Sequence, residues 1–368
     1  YCYPCHIVRF KHQSIRDRKL DKYIVMSKNT LDKPTVRESI LYRRLRGEKV
    51  QCLTCYRKCV IAERETGFCK TRVNVGGRLY TIIYGDISSI SNNPIEKKPL
   101  FHFYPGTYAL TVGSWSCNFT CPWCQNYEIS KIPPDLEHAN YIPPEKLVEY
   151  AVKYSSGTSI SFNEPTLLLE YSLDVFRLAS EKGLYNTYIT NGYMTLEALK
   201  LLIKSGLNAM NIDVKGLEHV YRRYCGISDW IKVLENAKFA IENGVHVELT
   251  NLVITNVNDR EENIEELVEH ILKYCGDKAI IHFTRYFPAY MFHEKPTKIE
   301  TLEKAYKIAK RAGVKYVYIG NVPGHRYEHT YCHNCGKVLI KRHIFSIIEN
   351  RIKNGRCPYC GAEIYGVW

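Results

Sequence analysis

The chain has 368 residues, of which 45% are hydrophobic and 24% are charged. This composition is typical of a globular protein and argues against a disordered or fibrous chain. No apolar run approaches the roughly 20 residues that a membrane-spanning helix needs. The segment after Tyr1 is charged and shows no secretory signal, so we expect a cytoplasmic protein with no membrane partner.

The formal net charge of +13 is concentrated at the two ends of the chain. Residues 1–50 hold thirteen Lys and Arg against five Asp and Glu, and residues 321–368 hold seven against three. Basic ends of this kind suit an acidic protein partner or RNA. The competing interpretation is a solvated helical face rich in Lys and Arg, such as residues 37–49 would form.

The alternation of short β-branched or aromatic runs with longer amphipathic stretches predicts repeated βα units around a parallel sheet. The expected strands are residues 109–115, 158–163, 185–190, 209–213, 246–254, 279–287 and 315–319. The expected helices are residues 145–154, 166–181, 195–204, 229–242, 260–274 and 298–311.

Four of these helices are followed by glycine, which suits a left-handed helix cap: Gly183, Gly206, Gly244 and Gly313. Six or seven units are fewer than the eight of a closed barrel, so we expect an α/β fold with a partial, open TIM-type barrel, or a doubly wound sheet as the alternative. We divide the chain into a basic extension (1–50), a cysteine-rich metal-binding segment (51–108), the partial barrel (109–320) and a zinc-ribbon-like domain (321–368).

Thirteen of the fifteen cysteines lie in groups with the spacing of metal ligands. The groups are Cys2 and Cys5; Cys52, Cys55, Cys59 and Cys69; Cys117, Cys121 and Cys124; and Cys332, Cys335, Cys357 and Cys360. Cys225 and Cys275 stand alone, and we interpret them as buried small hydrophobic residues.

Cys117, Cys121 and Cys124 form a CxxxCxxC loop directly after the first barrel strand. A structural zinc site closes its tetrahedron with four protein ligands, whereas three cysteines around four irons leave one iron open. The loop therefore favours a [4Fe-4S] cluster over a zinc site that borrows a distant histidine.

This loop, with the aromatic Trp123 before its last cysteine, resembles the radical S-adenosylmethionine (radical SAM) superfamily. Residues 93–103 (NPIEKKPLFHF), the segment Phe162-Asn163-Glu164-Pro165-Thr166 and residues 320–368 resemble the radical enzyme of the AmmeMemoRadiSam system. That family is similar to pyruvate formate-lyase activating enzyme. The resemblance runs from about residue 50 to the C-terminus.

The resemblance implies a cluster that passes one electron to bound S-adenosylmethionine and releases a 5'-deoxyadenosyl radical, which abstracts hydrogen from the substrate. It also implies an anaerobic enzyme with an electron donor of the flavodoxin or ferredoxin type. Such chemistry needs an open iron, polar groups that hold the cofactor and a site that excludes water.

The resemblance also assigns cofactor contacts to the ends of successive strands. Asn163 and Glu164 stand where the superfamily usually has Gly-Gly-Glu-Pro, and Glu164 is expected to accept a hydrogen bond from the methionine amino group. The remaining residues expected to contact the cofactor are Trp123 in the cysteine loop, Thr190 and Asn191 in a TNG segment, and Asp213 and Lys215 near the carboxylate and ribose. His282 and Arg285 are candidates for the cofactor carboxylate or the substrate.

Two further cysteine groups flank the barrel. Cys332, Cys335, Cys357 and Cys360 form two CxxCG knuckles, which predict a structural zinc ribbon, with a rubredoxin-like iron site as the alternative. The CxxCxxxC of Cys52, Cys55 and Cys59, followed by Cys69, predicts either a zinc site or an auxiliary iron-sulfur cluster.

We interpret the chain as a radical SAM enzyme whose substrate is a protein, either a glycyl radical enzyme to be activated or a side chain to be modified. The basic termini favour a rival function, RNA modification. A third alternative is a non-catalytic metal-binding scaffold, which the intact cysteine loop and Glu164 argue against.

Overall fold

The structure, a computed structural model, describes residues 8–9 and 28–368 of the chain. Cys2 and Cys5 lie outside the described residues. The described chain forms two compact units. The first consists of the described residues up to Asn92 together with Ala109–Asn118 and Asn126–Leu207; the second consists of Asn93–Tyr108, Phe119–Gln125 and Asn208–Trp368.

The amino-terminal part of the first unit is built from short strands. Its elements are β1 (Val8–Arg9), α1 (Lys28–Leu31), β2 (Arg37–Glu38), β3 (Tyr42–Arg44), β4 (Val50–Cys52), β5 (Val60–Ile61), β6 (Arg72–Val75) and β7 (Arg78–Thr81). β7 pairs antiparallel with both β2 and β6, and β4 pairs antiparallel with both β3 and β5. The interpretation of residues 37–49 as a basic helical face is therefore wrong, because strand pairing takes up their backbone.

The remaining strands are β8 (Ser89–Pro94), β9 (Tyr108–Gly113), β10 (Gly157–Ile160), β11 (Tyr185–Thr190), β12 (Ala209–Asp213), β13 (His246–Val253), β14 (Ile280–Arg285), β15 (Tyr316–Gly320), β16 (Thr330–Tyr331), β17 (Val338–His343) and β18 (Ser346–Asn350). The helices are α2 (Tyr127–Ser130), α3 (Pro144–Tyr154), α4 (Leu169–Glu181), α5 (Leu196–Lys204), α6 (Glu218–Val220), α7 (Ile231–Glu242), α8 (Glu261–Cys275) and α9 (Ile299–Arg311).

The parallel strands confirm the predicted fold class, a partial, open TIM-type βα barrel. In the first unit, β9, β10 and β11 are parallel neighbours in chain order. In the second unit, β12 to β15 are parallel neighbours, again in chain order. The strands β10 and β12 are almost entirely buried, as strands covered by helices on their faces must be.

Each of the four predicted glycine caps has a backbone φ between 73° and 104°: Gly183, Gly206, Gly244 and Gly313. Residues with a side chain rarely adopt this left-handed conformation, so glycine ends the helix there at little cost. No helix among the described residues has the length and apolar character needed to cross a bilayer.

The carboxyl-terminal strands β16, β17 and β18 form a separate antiparallel sheet in the second unit. Cys332 and Cys357 are buried in a hydrophobic cluster with Ile280, Tyr316 and Tyr318 from β14 and β15. The ribbon therefore shares its core with barrel strands of the same unit, which makes its folding part of the folding of that unit.

Candidate functional site

The residues that lead into the cysteine loop belong to the first unit, and Asn163 holds their backbone in place. Ser116 has a φ of 67°, in the left-handed region. The Asn163 side chain accepts a hydrogen bond from Ser114 N at 2.9 Å and donates from Nδ2 to the carbonyl oxygens of Trp115 and Ser116, both at 3.1 Å. Asn163 thus positions the residues that precede Cys117.

Glu164 is a buried carboxylate surrounded by donors. Its Oε1 accepts hydrogen bonds from the Thr166 backbone at 3.1 Å and from the Thr166 and Thr190 hydroxyls, both at 2.6 Å. Its Oε2 accepts one hydrogen bond, from Asn191 N at 2.8 Å. Burial raises the pKa of Glu164, and these donors, led by Asn191 N, oppose that rise. Oε2 retains a lone pair for one more donor.

Asn191 connects this carboxylate to the cysteine loop within the same unit. Its Nδ2 lies 2.7 Å from Asn118 Oδ1 and 3.9 Å from Cys117 Sγ, while its Oδ1 accepts from Tyr193 N at 3.0 Å. The structure therefore brings together three predicted residues of the first unit, Cys117, Glu164 and Asn191. Thr190 joins them through its bond to Glu164.

In the second unit, Asp213 and Lys215 form an ion pair at the end of β12. Lys215 Nζ lies 2.8 Å from Asp213 Oδ2, and the Lys215 side chain is 14% exposed. Burial alone would lower the pKa of Lys215, but Asp213 and the nearby thiol of Cys121 raise it well above its usual value. A charged lysine is thus held close to a cysteine of the loop.

Cys121 has a neighbour that its sequence spacing did not indicate. The sulfur atoms of Cys121 and Cys225 lie 3.6 Å apart, and Cys225 is fully buried. Cys225 ends a short π-helical segment, Tyr221–Cys225, that follows α6. The hydroxyl of Tyr221 accepts a hydrogen bond from Lys215 N at 3.0 Å, so the same segment also supports Lys215.

Trp123 lies in a buried aromatic group of the second unit. Its ring is 5.1 Å from that of Tyr224 and 5.4 Å from that of Phe292. Its indole Nε1 is buried and has no acceptor among the residues that the structure describes. A buried N–H without an acceptor is costly, so it marks a place where a bound group can accept a hydrogen bond.

His282 and Arg285 are placed differently from each other on β14. His282 is 1% exposed, bonds through Nε2 to Glu248 Oε2 at 2.6 Å and stacks on Tyr318 at 5.0 Å. Arg285 is the last residue of the strand; its Nε donates to Thr297 O at 2.8 Å, and its guanidinium lies over Phe287. His282 is thus already engaged by a buried carboxylate.

The family of the chain is decided by its similarity to known proteins. The model of the Radical SAM superfamily matches residues 115–272. A protein of uncharacterised function from Methanocaldococcus jannaschii is 43% identical over 333 residues, which cover 89% of this chain and 99% of that protein. The chain belongs to the radical SAM superfamily.

Two further proteins are similar to this radical SAM protein. One is a second M. jannaschii protein, provisionally named a glycyl-radical enzyme activating enzyme, which is 29% identical over 60% of this chain and 89% of its own length. The other is a solved domain of the pyruvate-formate lyase-activating enzyme of Bacteroides vulgatus, with a TM-score of 0.40 and 19% identity over 45% of this chain and all of that domain.

Radical SAM membership implies S-adenosylmethionine and a [4Fe-4S] cluster, and the residues present fit both. Cys117, Cys121 and Cys124 supply three thiols in one loop, which is the donor set that leaves one iron open. The buried Trp123 Nε1, without an acceptor in the described chain, and the remaining lone pair of Glu164 Oε2 are both available to a bound polar group.

The carboxyl-terminal ribbon of this radical SAM protein gathers its four cysteines tightly. All four sulfurs lie within 4.8 Å of one another, with Cys332 3.6 Å from Cys360 and Cys335 3.7 Å from Cys357. Four sulfurs at about 2.3 Å from one tetrahedral zinc ion would be about 3.8 Å apart. The knuckles are therefore compact enough to hold a single metal ion.

The knuckle glycines and one surface thiol support this arrangement. Gly336 and Gly361 have φ values of 72° and 73°, in the left-handed region that the sequence pattern predicts for them. A backbone hydrogen bond from Ala362, followed by one from the Asn334 amide, lowers the pKa of Cys360 to about 6. A thiol that ionises readily is a ready metal ligand.

Several residues of this radical SAM protein escaped sequence analysis because their partners are distant in the chain. Asn118 is 73 positions from Asn191, and Cys225 is 104 positions from Cys121. Asn163 was expected to contact the cofactor, and the structure shows that its side chain also holds the backbone that leads into the cysteine loop. The sequence feature that could have indicated a role for Asn118 is its position directly after Cys117.

Proposed function

We propose that this protein uses S-adenosylmethionine and a [4Fe-4S] cluster on Cys117, Cys121 and Cys124 to abstract hydrogen from a protein substrate. The observation that carries the proposal is the linkage of Cys117, Asn191 and Glu164 by hydrogen bonds within one unit. When bound, the two cofactors supply reductive cleavage of a carbon–sulfur bond and a carbon radical.

The residues of the chain have separate roles in this proposal. Glu164 accepts a hydrogen bond from the cofactor amino group through Oε2, while its other contacts keep the Thr190-Asn191 turn in place. Lys215, paired with Asp213, provides a positive charge for the cofactor carboxylate. Trp123 donates its indole N–H to a bound group. Together with its aromatic neighbours, it keeps water out of the site.

A protein substrate is supported by the second M. jannaschii relative, whose name refers to activation of a glycyl-radical enzyme. We propose that this chain acts on a protein in the same broad sense, by activating a glycyl radical enzyme or modifying a side chain. The electron enters from a one-electron donor of the flavodoxin or ferredoxin type, and the reaction requires anaerobic conditions because oxygen attacks exposed clusters.

The first experiment measures 5'-deoxyadenosine released under dithionite by anaerobically reconstituted protein. We expect release from the parent protein and none from the triple variant Cys117→Ala, Cys121→Ala, Cys124→Ala. The matched control is Cys275→Ala, which removes a buried thiol outside the four cysteine groups and is expected to retain release. Parent protein that binds its cluster and releases no deoxyadenosine would contradict the proposal.

The substrate class is tested with an extract of deuterium-labelled cells of the source species. Deuterium is expected to enter deoxyadenosine when the extract is added, because the abstracted atom comes from the substrate. Protease treatment of the extract is expected to abolish this transfer, and ribonuclease treatment to leave it unchanged. The reverse pattern would replace the protein substrate by RNA.

A further inference from the structure

The four amino-terminal cysteines line one pocket of the first unit. Cys52, Cys55, Cys59 and Cys69 surround a pocket whose empty space of about 340 Å³ includes a part that is open to solvent. Cys52 and Cys55 are each 8% exposed, so part of the pocket is well shielded from solvent.

The sulfur atoms of this pocket are spread more widely than those of the ribbon. Among the described residues, the ribbon cysteines form a group whose sulfurs all lie within 4.8 Å, and no three of the four amino-terminal cysteines do so. A mononuclear tetrahedral site needs sulfurs about 3.8 Å apart. A cluster needs them farther apart, because several metal and sulfide atoms lie between the cysteines.

The pocket wall also contains donors without acceptors. Arg72 Nε, Thr54 Oγ1 and Asn118 Nδ2 are buried and have no hydrogen-bond partner within the described part of the chain. Their residues are each at most 1% exposed. Inorganic sulfide accepts N–H and O–H hydrogen bonds, and such bonds adjust the potential of an iron-sulfur cluster.

Arg72, in the wall of the pocket, is held in one orientation by a buried ion pair. The Arg72 guanidinium bonds to both oxygens of Glu170, at 2.7 and 2.8 Å, and to the Ser39 hydroxyl at 2.6 Å. These contacts fix the side chain and leave Nε as its donor without a partner in the described chain. Gly67 also lines the pocket. A side chain there would crowd the wall, because its Cβ would come within 3.2 Å of Ile61 and 3.8 Å of Cys59 Sγ.

We infer that Cys52, Cys55, Cys59 and Cys69 ligate a second iron-sulfur cluster rather than a zinc ion. This site adjoins the catalytic loop, because Asn118 both lines the pocket and accepts the hydrogen bond from Asn191. The backbone of the pocket loop supports the same region: Tyr56 N donates to Tyr193 O at 3.1 Å, and Thr195 N donates to Thr54 O at 3.2 Å.

The inference is tested in the triple variant that lacks Cys117, Cys121 and Cys124, so its outcome does not depend on the proposed function. Iron, acid-labile sulfide and zinc are measured after anaerobic reconstitution, together with the EPR spectrum under dithionite. We expect iron and sulfide in equal amounts, two or four of each per chain, and an EPR signal of a reduced cluster. Adding Cys52→Ser and Cys69→Ser is expected to remove both sulfide and signal.

Two outcomes would overturn the inference. One is zinc near two atoms per chain without sulfide; the other is a folded triple variant whose only metal is lost with the ribbon cysteines. Iron bound at a rubredoxin-like ribbon is distinguished by its lack of sulfide. Circular dichroism compares the folding of each variant with that of Cys275→Ala. If the serine variants fail to fold, Thr54→Val tests the inference with all four cysteines retained.

Thr54→Val removes one donor from the pocket and keeps the side-chain shape. We expect the midpoint potential of the second cluster to become more negative, because loss of a hydrogen bond to sulfur destabilises the more negatively charged reduced state. The matched control is Thr35→Val, since Thr35 is a buried threonine of the same unit whose hydroxyl also has no partner in the described chain and does not line the pocket. Equal potentials in both variants would contradict a cluster beside Thr54.

Discussion

The chain carries one set of four cysteines before its barrel segment and another set after it in the sequence, and the two sets are arranged differently. In the ribbon, short knuckles place the sulfurs 3.6 and 3.7 Å apart, as a single ion requires. In the amino-terminal pocket, no three of the four sulfurs lie within 4.8 Å of one another, and the wall contains buried donors without a partner in the described chain. The comparison shows that two sets of four cysteines can differ in sulfur spacing and in the donors around them, so their number alone does not identify the metal.

The largest effect that separates the two sites is expected from removing the ribbon metal. Cys335 and Cys360 are exposed, so Cys335→Ala with Cys360→Ala removes two ligands without opening a cavity in the core. Metal binding in small zinc domains contributes on the order of 10 kcal/mol, so we expect β16–β18 to lose their protection from hydrogen exchange.

The corresponding change at the pocket, Cys52→Ser with Cys69→Ser, is expected to leave the ribbon strands protected. Hydrogen exchange followed by mass spectrometry measures both variants, with Cys275→Ala as the control. Ribbon strands that stay protected without their metal would show that packing against Tyr316 and Tyr318 is sufficient to fold them.

The next effect concerns the buried ion pair beside the pocket. Glu170→Gln leaves the Arg72 guanidinium buried without its counter-charge, and we expect the free energy of unfolding to fall by about 3–5 kcal/mol. The matched control is Glu181→Gln, which breaks an exposed pair with Arg177 and is expected to cost less than about 1 kcal/mol. Urea unfolding measures both. Equal losses would mean that solvent reaches Arg72.

The smallest of the three effects is the pH dependence of stability that comes from a buried histidine of the second unit, His102. Burial lowers the pKa of His102 to about 3, although Glu248 opposes this, and its ring bonds to Tyr365 O and to the Tyr318 hydroxyl. Arg342 and His246 also face it. The folded state keeps His102 neutral, whereas the unfolded chain binds a proton below pH 6.5.

The free energy of unfolding is therefore expected to fall as the pH falls from 6.5 toward 3. His102 alone is expected to lower it by about 2 kcal/mol at pH 5. His102→Gln is expected to reduce the pH dependence of the urea midpoint, and the matched control His138→Gln, at an exposed histidine, to leave it unchanged. An identical pH profile in both variants would show that His102 is protonated in the folded protein.

Regular secondary structure was predicted well because its signals are local. The strands at residues 185–190 and 209–213 have the bounds that their apolar runs indicated. The left-handed glycines likewise follow from the residues next to them. Cys117, Asn191 and Glu164 came together because parallel strands bring their carboxyl ends to one edge.

The amino-terminal strands and the supporting contacts were not predicted. The strands β2 to β5 have two or three residues each, too few for a period to show. The ion pair of Arg72 with Glu170 joins positions 98 apart, and no local pattern records such a pairing. Long-range partners of buried polar groups depend on how elements pack, which sequence spacing does not encode.

The two contacts of the Asn118 side chain have a consequence for which residues position 118 can accept. Asn118 follows Cys117, accepts a hydrogen bond from Asn191 and presents its amide nitrogen to the amino-terminal pocket. A substitution at position 118 therefore changes both the support of Asn191 and the wall of the pocket. In relatives without the amino-terminal cysteines, we expect position 118 to vary among residues that still accept a hydrogen bond from Asn191.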